Sequence, residues 1–290
     1  MDTTLSRAQA RPRSSLKISR LVLYVVAIIL ALLWLFPLWL TVTIAMKSAA
    51  DFAGNPFWFL PHEFNFFQNI ASAWNSASLG MGFTNSLIYG VVGAALAVLF
   101  ASLASYGLVV LKVRGAFLWF LVIFSGTMFP LQCYIVPLYQ MYNALGLYDT
   151  QLGMIIFYTA ISVPFSTLVM RGFFSTIPEE IVEAARLDGC SEIGIFFRMY
   201  LPLSLAALLV VFLLQFTWIW NDLLFGLVLG VSDSVRPVMP SLTGLMGVYS
   251  GISYTVVLAG ALVASAPTLA LFLGLQKYFL EGLTLSARKK

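Results

Sequence analysis

Charge is what this sequence has least of. Asp, Glu, Lys and Arg together make up 10% of 290 residues, against 60% apolar. A soluble domain carries roughly a quarter of its residues charged, so that class is excluded. There is one histidine, His62, with no cysteine cluster near it, which argues against a metal site. No Gly-x-x-x-x-Gly-Lys-Ser/Thr run occurs, so the chain does not hydrolyse ATP through a phosphate-binding loop. No nucleophile–histidine pairing falls in the apolar runs, which argues against an intramembrane protease. Two cysteines, Cys133 and Cys190, say nothing of redox compartment, and they are expected on opposite sides of a membrane, too far apart to pair.

What fills the chain instead is apolar sequence, at a mean hydropathy of +0.93. Several uncharged stretches exceed the roughly 18–20 residues that cross a bilayer as helix. Leu21–Met46, Gly115–Tyr148, Thr150–Met170, Met199–Asn221 and Pro237–Gln276 are all bounded by charge, and Phe64–Leu111 turns strongly apolar near Phe83. Backbone groups without water must be satisfied within helices. The expected fold is therefore all-α and integral to the membrane, with six spans at about 21–46, 83–111, 116–142, 151–172, 203–231 and 256–280. Six spans put both termini on one side. That side receives Arg7, Arg11, Arg13, Lys17, Arg20, Lys112, Arg114, Arg171, Arg186, Arg198, Lys277, Arg288, Lys289 and Lys290, leaving Lys47 and Arg236 opposite. The bias places both termini in the cytoplasm, and the net charge of +4 then reflects topology and anionic headgroups rather than nucleic acid. The first run is too long for a signal-peptide core and no small-residue cleavage site precedes Lys47, so removal is not expected.

Residues 1–20 read as a basic cytoplasmic tail, 21–280 as the six-span membrane domain, and 281–290 as a second cytoplasmic tail. The external segment 47–82 is rich in aromatics (Phe57, Trp58, Phe59, Phe64, Phe66, Phe67, Trp74), which suit an interfacial belt or a docking surface for an external partner. The external segment 232–255, with Pro237, Pro240, Gly244, Gly247, Ser250 and Gly251, is a second candidate contact. A row of Gly90, Ala94, Ala97, Ala101 and Ala104 at helical spacing, with Gly93 beside it, allows close helix approach, for packing within the chain or for lining a path. Pro130, Pro137, Pro164 and Pro267 lie inside spans and are expected to kink them.

The cytoplasmic loop 175–202 carries the strongest local signals. Thr176 and Glu179 are spaced as a capping box with Pro178 in the first turn. Three Glu residues suit a helix N-terminus, and Gly189 suits the left-handed position that ends a helix. Ser191 can cap a second short helix with Phe196 and Phe197 on its apolar side. The expected result is two angled helices with Ala184 and Ala185 exposed, small enough for a soluble partner to approach closely.

The loop motif Glu183-Ala184-Ala185, three residues, Gly189, nine residues, Met199-x-Leu201-Pro202 resembles the EAA signature of bacterial ABC importer permeases, of the maltose-type carbohydrate (MalG-like) kind, with Met199 at the usual Ile position. Ser102-Leu103-Ala104-Ser105-Tyr106, Pro137-Leu138-Tyr139, Gly146-Leu147, Trp220-Asn221-Asp222 and the stretch from Gln276 to Thr284 are similar as well. The resemblance implies the MetI-like/MalG-like permease fold, in a subunit for binding-protein-dependent import of a carbohydrate, an oligosaccharide by family expectation. It implies a heterodimer with a second permease, two copies of a cytoplasmic ATPase that bind ATP and Mg, and an extracytoplasmic solute-binding protein, in the bacterial inner membrane. Glu183, Ala184, Ala185, Asp188 and Gly189 would form the coupling element. The family's usual C-terminal Gly-Ala-Val-Lys-Gly is replaced by Ser286-Ala287-Arg288-Lys289-Lys290. Asp222 is the one acidic residue well inside a predicted span. It is either a functional carboxylate or a structural anchor with Asn221 and Trp220; Trp218, Trp220 and Asn221 could also offer a sugar flat faces and polar groups. The rival reading is a stand-alone secondary transporter or channel, which would ordinarily carry more ionisable residues in its spans.

Overall fold

The computed structural model describes residues 13–76, 78–246 and 251–287; the expectations placed on residues 1–12, Gly247, Ser250 and 288–290 fall outside them. Every regular element among the described residues is helical. The long helices follow the long apolar runs: α1 (Arg13–Ala45), α4 (Leu79–Val109), α7 (Gln151–Phe174) and α13 (Tyr254–Ala287). Between them stand α2 (Ala49–Gly54), α3 (Phe66–Asn75), α5 (Ala116–Ser125), α6 (Ile135–Leu145), α8 (Glu179–Leu187), α9 (Glu192–Leu203), α10 (Leu205–Trp220), α11 (Leu224–Leu229) and α12 (Val238–Gly244).

Four described helices are long and apolar enough to cross a membrane, or five if α9 and α10, which meet at 76°, count as one. Two expected spans are not continuous helices. The stretch 116–142 divides into α5, a turn, a 3-10 turn at Leu131–Tyr134 and α6. Pro130 is the reason: it has no N–H to donate and disfavours helical backbone at Phe129, so it breaks the helix where a kink was expected. The stretch 203–231 divides at Asn221–Leu223 into α10 and α11, because the Asp222 side chain takes over the backbone donors that start α11. Pro164 and Pro267 sit inside α7 and α13, while Pro137 falls in the first turn of α6.

The small-residue row of α4 packs along α7. Ala94, Ala97 and Ala101 are fully buried, and Ser105 Oγ crosses the seam to donate to Thr167 O at 3.3 Å. Lipid gives helices no hydrophobic reason to associate, so this fit carries the pairing. Ala101→Leu would force three more carbons into a filled seam. We expect a loss of roughly 1–3 kcal/mol, read as a lowered melting temperature in detergent; Leu103→Ala, on the exposed side of the same helix, should leave it nearly unchanged.

The segment 232–255 is not a free external loop. Val235, Val238, Leu242 and Leu245 are buried in the main core, and α12 packs on the start of α4. Asn85 Nδ2 donates to Asp233 O and Arg236 O, and Tyr89 Oη donates to Val235 O. In the 47–82 segment the chain is clasped by Asp51: its Oδ1 accepts from Asn55 Nδ2 and lies 2.9 Å from His62 Nδ1, and its Oδ2 accepts from the backbone N–H of His62. The His62 hydrogen bonds hold the Asp51 carboxyl below its usual range. Phe57, Trp58, Phe59 and Phe64 remain exposed around that clasp.

Candidate functional site

The 175–202 loop is built on a second, smaller core. Val182 and Ala185, one turn apart on α8, are buried with Met170 and Phe174 of α7, Ile195, Phe196 and Tyr200 of α9, and Tyr106 of α4. The expectation that both alanines are exposed is corrected at Ala185, which is 5% exposed because it shares the inward face with Val182. Ala184 and Glu183 face outward. Leu187, 89% exposed, and Ile193, 73% exposed, flank them. These two apolar residues belong to the presented surface and were not among the sequence candidates; a leucine standing out of an otherwise charged helix was the available signal.

The helix ends as the residue types require. Gly189 adopts φ +80°, a left-handed conformation that costs any residue with a Cβ. Its N–H donates to Arg186 O, and Cys190 N–H donates to Ala185 O, both at 3.0 Å. This is a Schellman ending, which satisfies two carbonyls at the helix terminus. Asp188 forms the cap just before it and is exposed. Ser191 Oγ accepts from Gly194 N–H at 3.2 Å and opens α9, whose inward side carries Phe196; Phe197 is exposed. The start of α8 differs from expectation. Pro178 itself occupies the cap with extended backbone, and Thr176 Oγ1 donates to Phe173 O at 2.7 Å. Thr176 is thereby spent on the end of α7, and no capping box forms.

Charged groups brace the loop. Lys112, just past α4, lies 2.6 Å from Glu179, which lowers the pKa of that carboxyl. Arg186 Nε donates to Glu192 Oε1 at 2.7 Å, and Tyr106 Oη donates to Glu192 Oε2 at 2.8 Å. The hydrogen bond from Arg186, then that from Tyr106, holds the Glu192 carboxyl below its ordinary range.

The four residues suggested for a translocation path are not brought to one surface. Trp218 lines a cavity of about 400 Å³ with Gln215, Thr127, Phe129 and Phe165. Trp220 points the other way, 1% exposed, its indole N–H donating to Ala264 O at 2.8 Å and its ring stacked on Phe216. Asn221 donates back to Thr217 O in its own helix. Asp222 accepts from Tyr158 Oη and Gly226 N–H, each at 2.9 Å. Gln215, buried and donating through Nε2 to Ser162 O and Ser166 Oγ, shares the Trp218 cavity; it was not singled out from sequence because a glutamine in an apolar run gives no spacing pattern. Among the described residues no group of three or more His, Cys, Asp or Glu side chains is placed to hold a metal ion.

Residues 97–283 match the family described as the binding-protein-dependent transport system inner membrane component. The probable ABC transporter permease protein YurM of Bacillus subtilis (strain 168) is 33% identical over 265 residues, covering 91% of this chain and 84% of the relative. The melibiose/raffinose/stachyose import permease protein MelC of the same organism is 32% identical over 269 residues, covering 92% and 96%. A solved structure of a bacterial ABC transporter involved in the import of the acidic polysaccharide alginate superposes with a TM-score of 0.80 at 25% identity, covering 94% of this chain and all of that one. With the family match spanning well over half its length and the EAA loop formed on a packed footing, the chain belongs to the binding-protein-dependent transport inner membrane components.

Proposed function

We propose that this protein is the transmembrane permease subunit of an ABC importer for a carbohydrate, an oligosaccharide, and that it forms half of the translocation pathway. The observation that carries the reading is the loop at 175–202. It is a short helix with a fixed ending, footed on the membrane core by Val182 and Ala185, with Glu183, Ala184 and Leu187 turned outward. A surface that is rigid, small at its centre and charged at its edge suits docking into a groove of a separate protein. The docking element comprises Glu183, Ala184, Ala185, Asp188 and Gly189, with Ala185 acting from the inward side.

ATP and Mg belong to that separate ATPase, present in two copies, and this chain needs no cofactor of its own. A second permease completes the pathway as a heterodimer, and an extracytoplasmic binding protein delivers the solute. The chain crosses the bacterial inner membrane six times, through α1, α4, the α5–α6 pair, α7, the α10–α11 pair and α13, with both termini and the docking loop in the cytoplasm. Lys112, Arg171, Arg186 and Arg198 beside that loop support the orientation, and the exposed apolar length of α1 suits contact with lipid. The saccharide assignment is supported by the sugars named for MelC and by the alginate importer's likeness over nearly the whole chain. Trp218 beside Gln215 adds a flat aromatic face next to a polar group.

The test is uptake of labelled raffinose-type oligosaccharides into liposomes holding this chain with the permease, ATPase and binding protein encoded beside it. Uptake should require both internal ATP and loaded binding protein. Uptake driven by an ion gradient, without the ATPase, would replace the reading with a stand-alone secondary transporter.

A further inference from the structure

Beside the Lys112–Glu179 ion pair, whose side chains are both mostly exposed and which is therefore of the weak surface kind, the docking loop touches the membrane core in two different ways. One is apolar: Val182 and Ala185 rest among Met170, Phe174, Ile195 and Phe196. Apolar contact is non-directional, and such a footing can slide without losing much. The other is Glu192. Its two carboxylate oxygens reach two different elements: Oε1 takes the Arg186 Nε–H of α8, and Oε2 takes the Tyr106 hydroxyl of α4. The Arg186–Glu192 pair alone would fix little, since both side chains are about two-fifths exposed and exposed ion pairs are weak. Tyr106 is different. It is 5% exposed, with its ring held edge-on by Phe196 at 5.3 Å and Tyr200 at 5.2 Å. Its hydroxyl is therefore presented at a fixed point, and the hydrogen bond it gives has a charged acceptor, the stronger kind.

Tyr106 is also where a long element begins to act. From Tyr106 the helix α4 runs back past its π-helical turn at Tyr89–Gly93 to Asn85 and Tyr89, which hold the 233–236 backbone at the opposite end. Along the way it is seated against α7 by its alanine row. A helix of this length spans roughly 45 Å and is tied at both ends by side-chain hydrogen bonds to the loops it meets.

We infer that Glu192 is a positioning residue that locks the docking helix α8 to α4 through Tyr106, so that movement of the loop is passed to the pathway helices instead of being lost by sliding on the apolar footing. This rests on the proposed function and adds to it where force enters the membrane domain. The tie sets how much transport accompanies each ATP hydrolysed; it does not set whether the ATPase binds. Coupling through such a device needs an element that both ends bias, and α4 with its two tied ends has that arrangement.

The experiment uses the complete complex in liposomes, with solute uptake and ATP hydrolysis measured on the same samples and ATPase co-purification as a check on assembly. Tyr106→Phe removes one oxygen and keeps the ring packing. Glu192→Gln keeps the shape and removes the charge. Both should assemble and hydrolyse ATP, while solute carried per ATP falls about tenfold, in line with losing a hydrogen bond to a charged group. The double variant should fall no further than the worse single, because the two residues share one link. An unchanged ratio in both single variants would overturn the tie. So would uptake and hydrolysis falling together at a constant ratio, which marks a merely structural role. A wild-type complex that shows no ATP-dependent uptake would instead overturn the transport reading, and the tie with it.

Discussion

Gly189→Pro is expected to abolish ATP-dependent uptake and substrate-stimulated ATP hydrolysis together, while the chain still inserts in the membrane. The native residue sits at φ +80°, whereas a proline ring holds φ near about −65°. The substitution also deletes the N–H that donates to Arg186 O, and it disfavours the near-helical backbone of Asp188 before it. The Schellman ending then cannot close. The exit angle from α8 into Ser191 changes, and with it the placement of Glu192. The seats of α4, α7 and α10 in the main core, with Tyr89, Tyr158 and Phe216 among them, lie away from this turn. Gly189→Ala is the graded control. Space is available, since a Cβ there meets nothing within 4 Å, so its cost is the left-handed backbone alone, about 1–2 kcal/mol, and part of the uptake should survive. Uptake and ATPase stimulation measured in liposomes decide the matter: full activity in Gly189→Pro would remove this loop from the coupling role.

Local chemistry was legible in the sequence, and long-range partnership was not. Both ends of α7 and the start of α13 lie within two residues of expectation because lipid forces an uncharged run to be helix, while α13 continues to Ala287, past the expected end at 280. Gly189 and Ser191 sit where single residue types make one backbone geometry cheap, and both take the expected places at the ends of α8 and α9. Thr176 misled because its hydroxyl has two uses within reach, and the end of α7 won it. Ala185 misled because exposure on an amphipathic helix depends on what packs beneath, which here is Ile195 and Phe196 from beyond the turn. The bond between Tyr106 and Glu192 joins residues 86 positions apart, and the Asp51 clasp on His62 joins elements with no periodic signature. Nothing in spacing announces either. Pro130 reads as a kink, yet with Phe129 ahead of it and a 3-10 turn behind it the backbone has no helical bond left to bend.

Asp222→Ala is expected to lower the stability of the membrane domain more than it lowers transport per folded complex. The carboxylate stands at the break between α10 and α11, where the chain leaves one helix and starts another. Its Oδ2 accepts from Tyr158 Oη and from Gly226 N–H, and Oδ1 lies 3.5 Å from Phe225 N. Removing it leaves the hydroxyl of Tyr158, a residue with no solvent exposure, without an acceptor, at about 1–3 kcal/mol. It also takes from the first turn of α11 the acceptor of the Gly226 N–H, at about 0.5–1.5 kcal/mol. The consequences spread because α11 is wedged tightly: a Cβ on Gly226 would come within 2.8 Å of Pro240 and 3.1 Å of Pro237, so the helix has one seat against the 232–255 segment. Asp222→Asn retains an oxygen for Tyr158 and should keep most of the stability. Tyr158→Phe should cost less than Asp222→Ala, since it leaves the Gly226 N–H its acceptor. Melting temperatures of the detergent-solubilised complex, set beside uptake normalised to folded protein, separate the two roles the sequence left open. A large drop in stability with normal specific uptake makes Asp222 an anchor for the break in the helix. Unaltered stability with uptake lost in both Ala and Asn variants would make its charge part of the pathway, and the anchor would be given up.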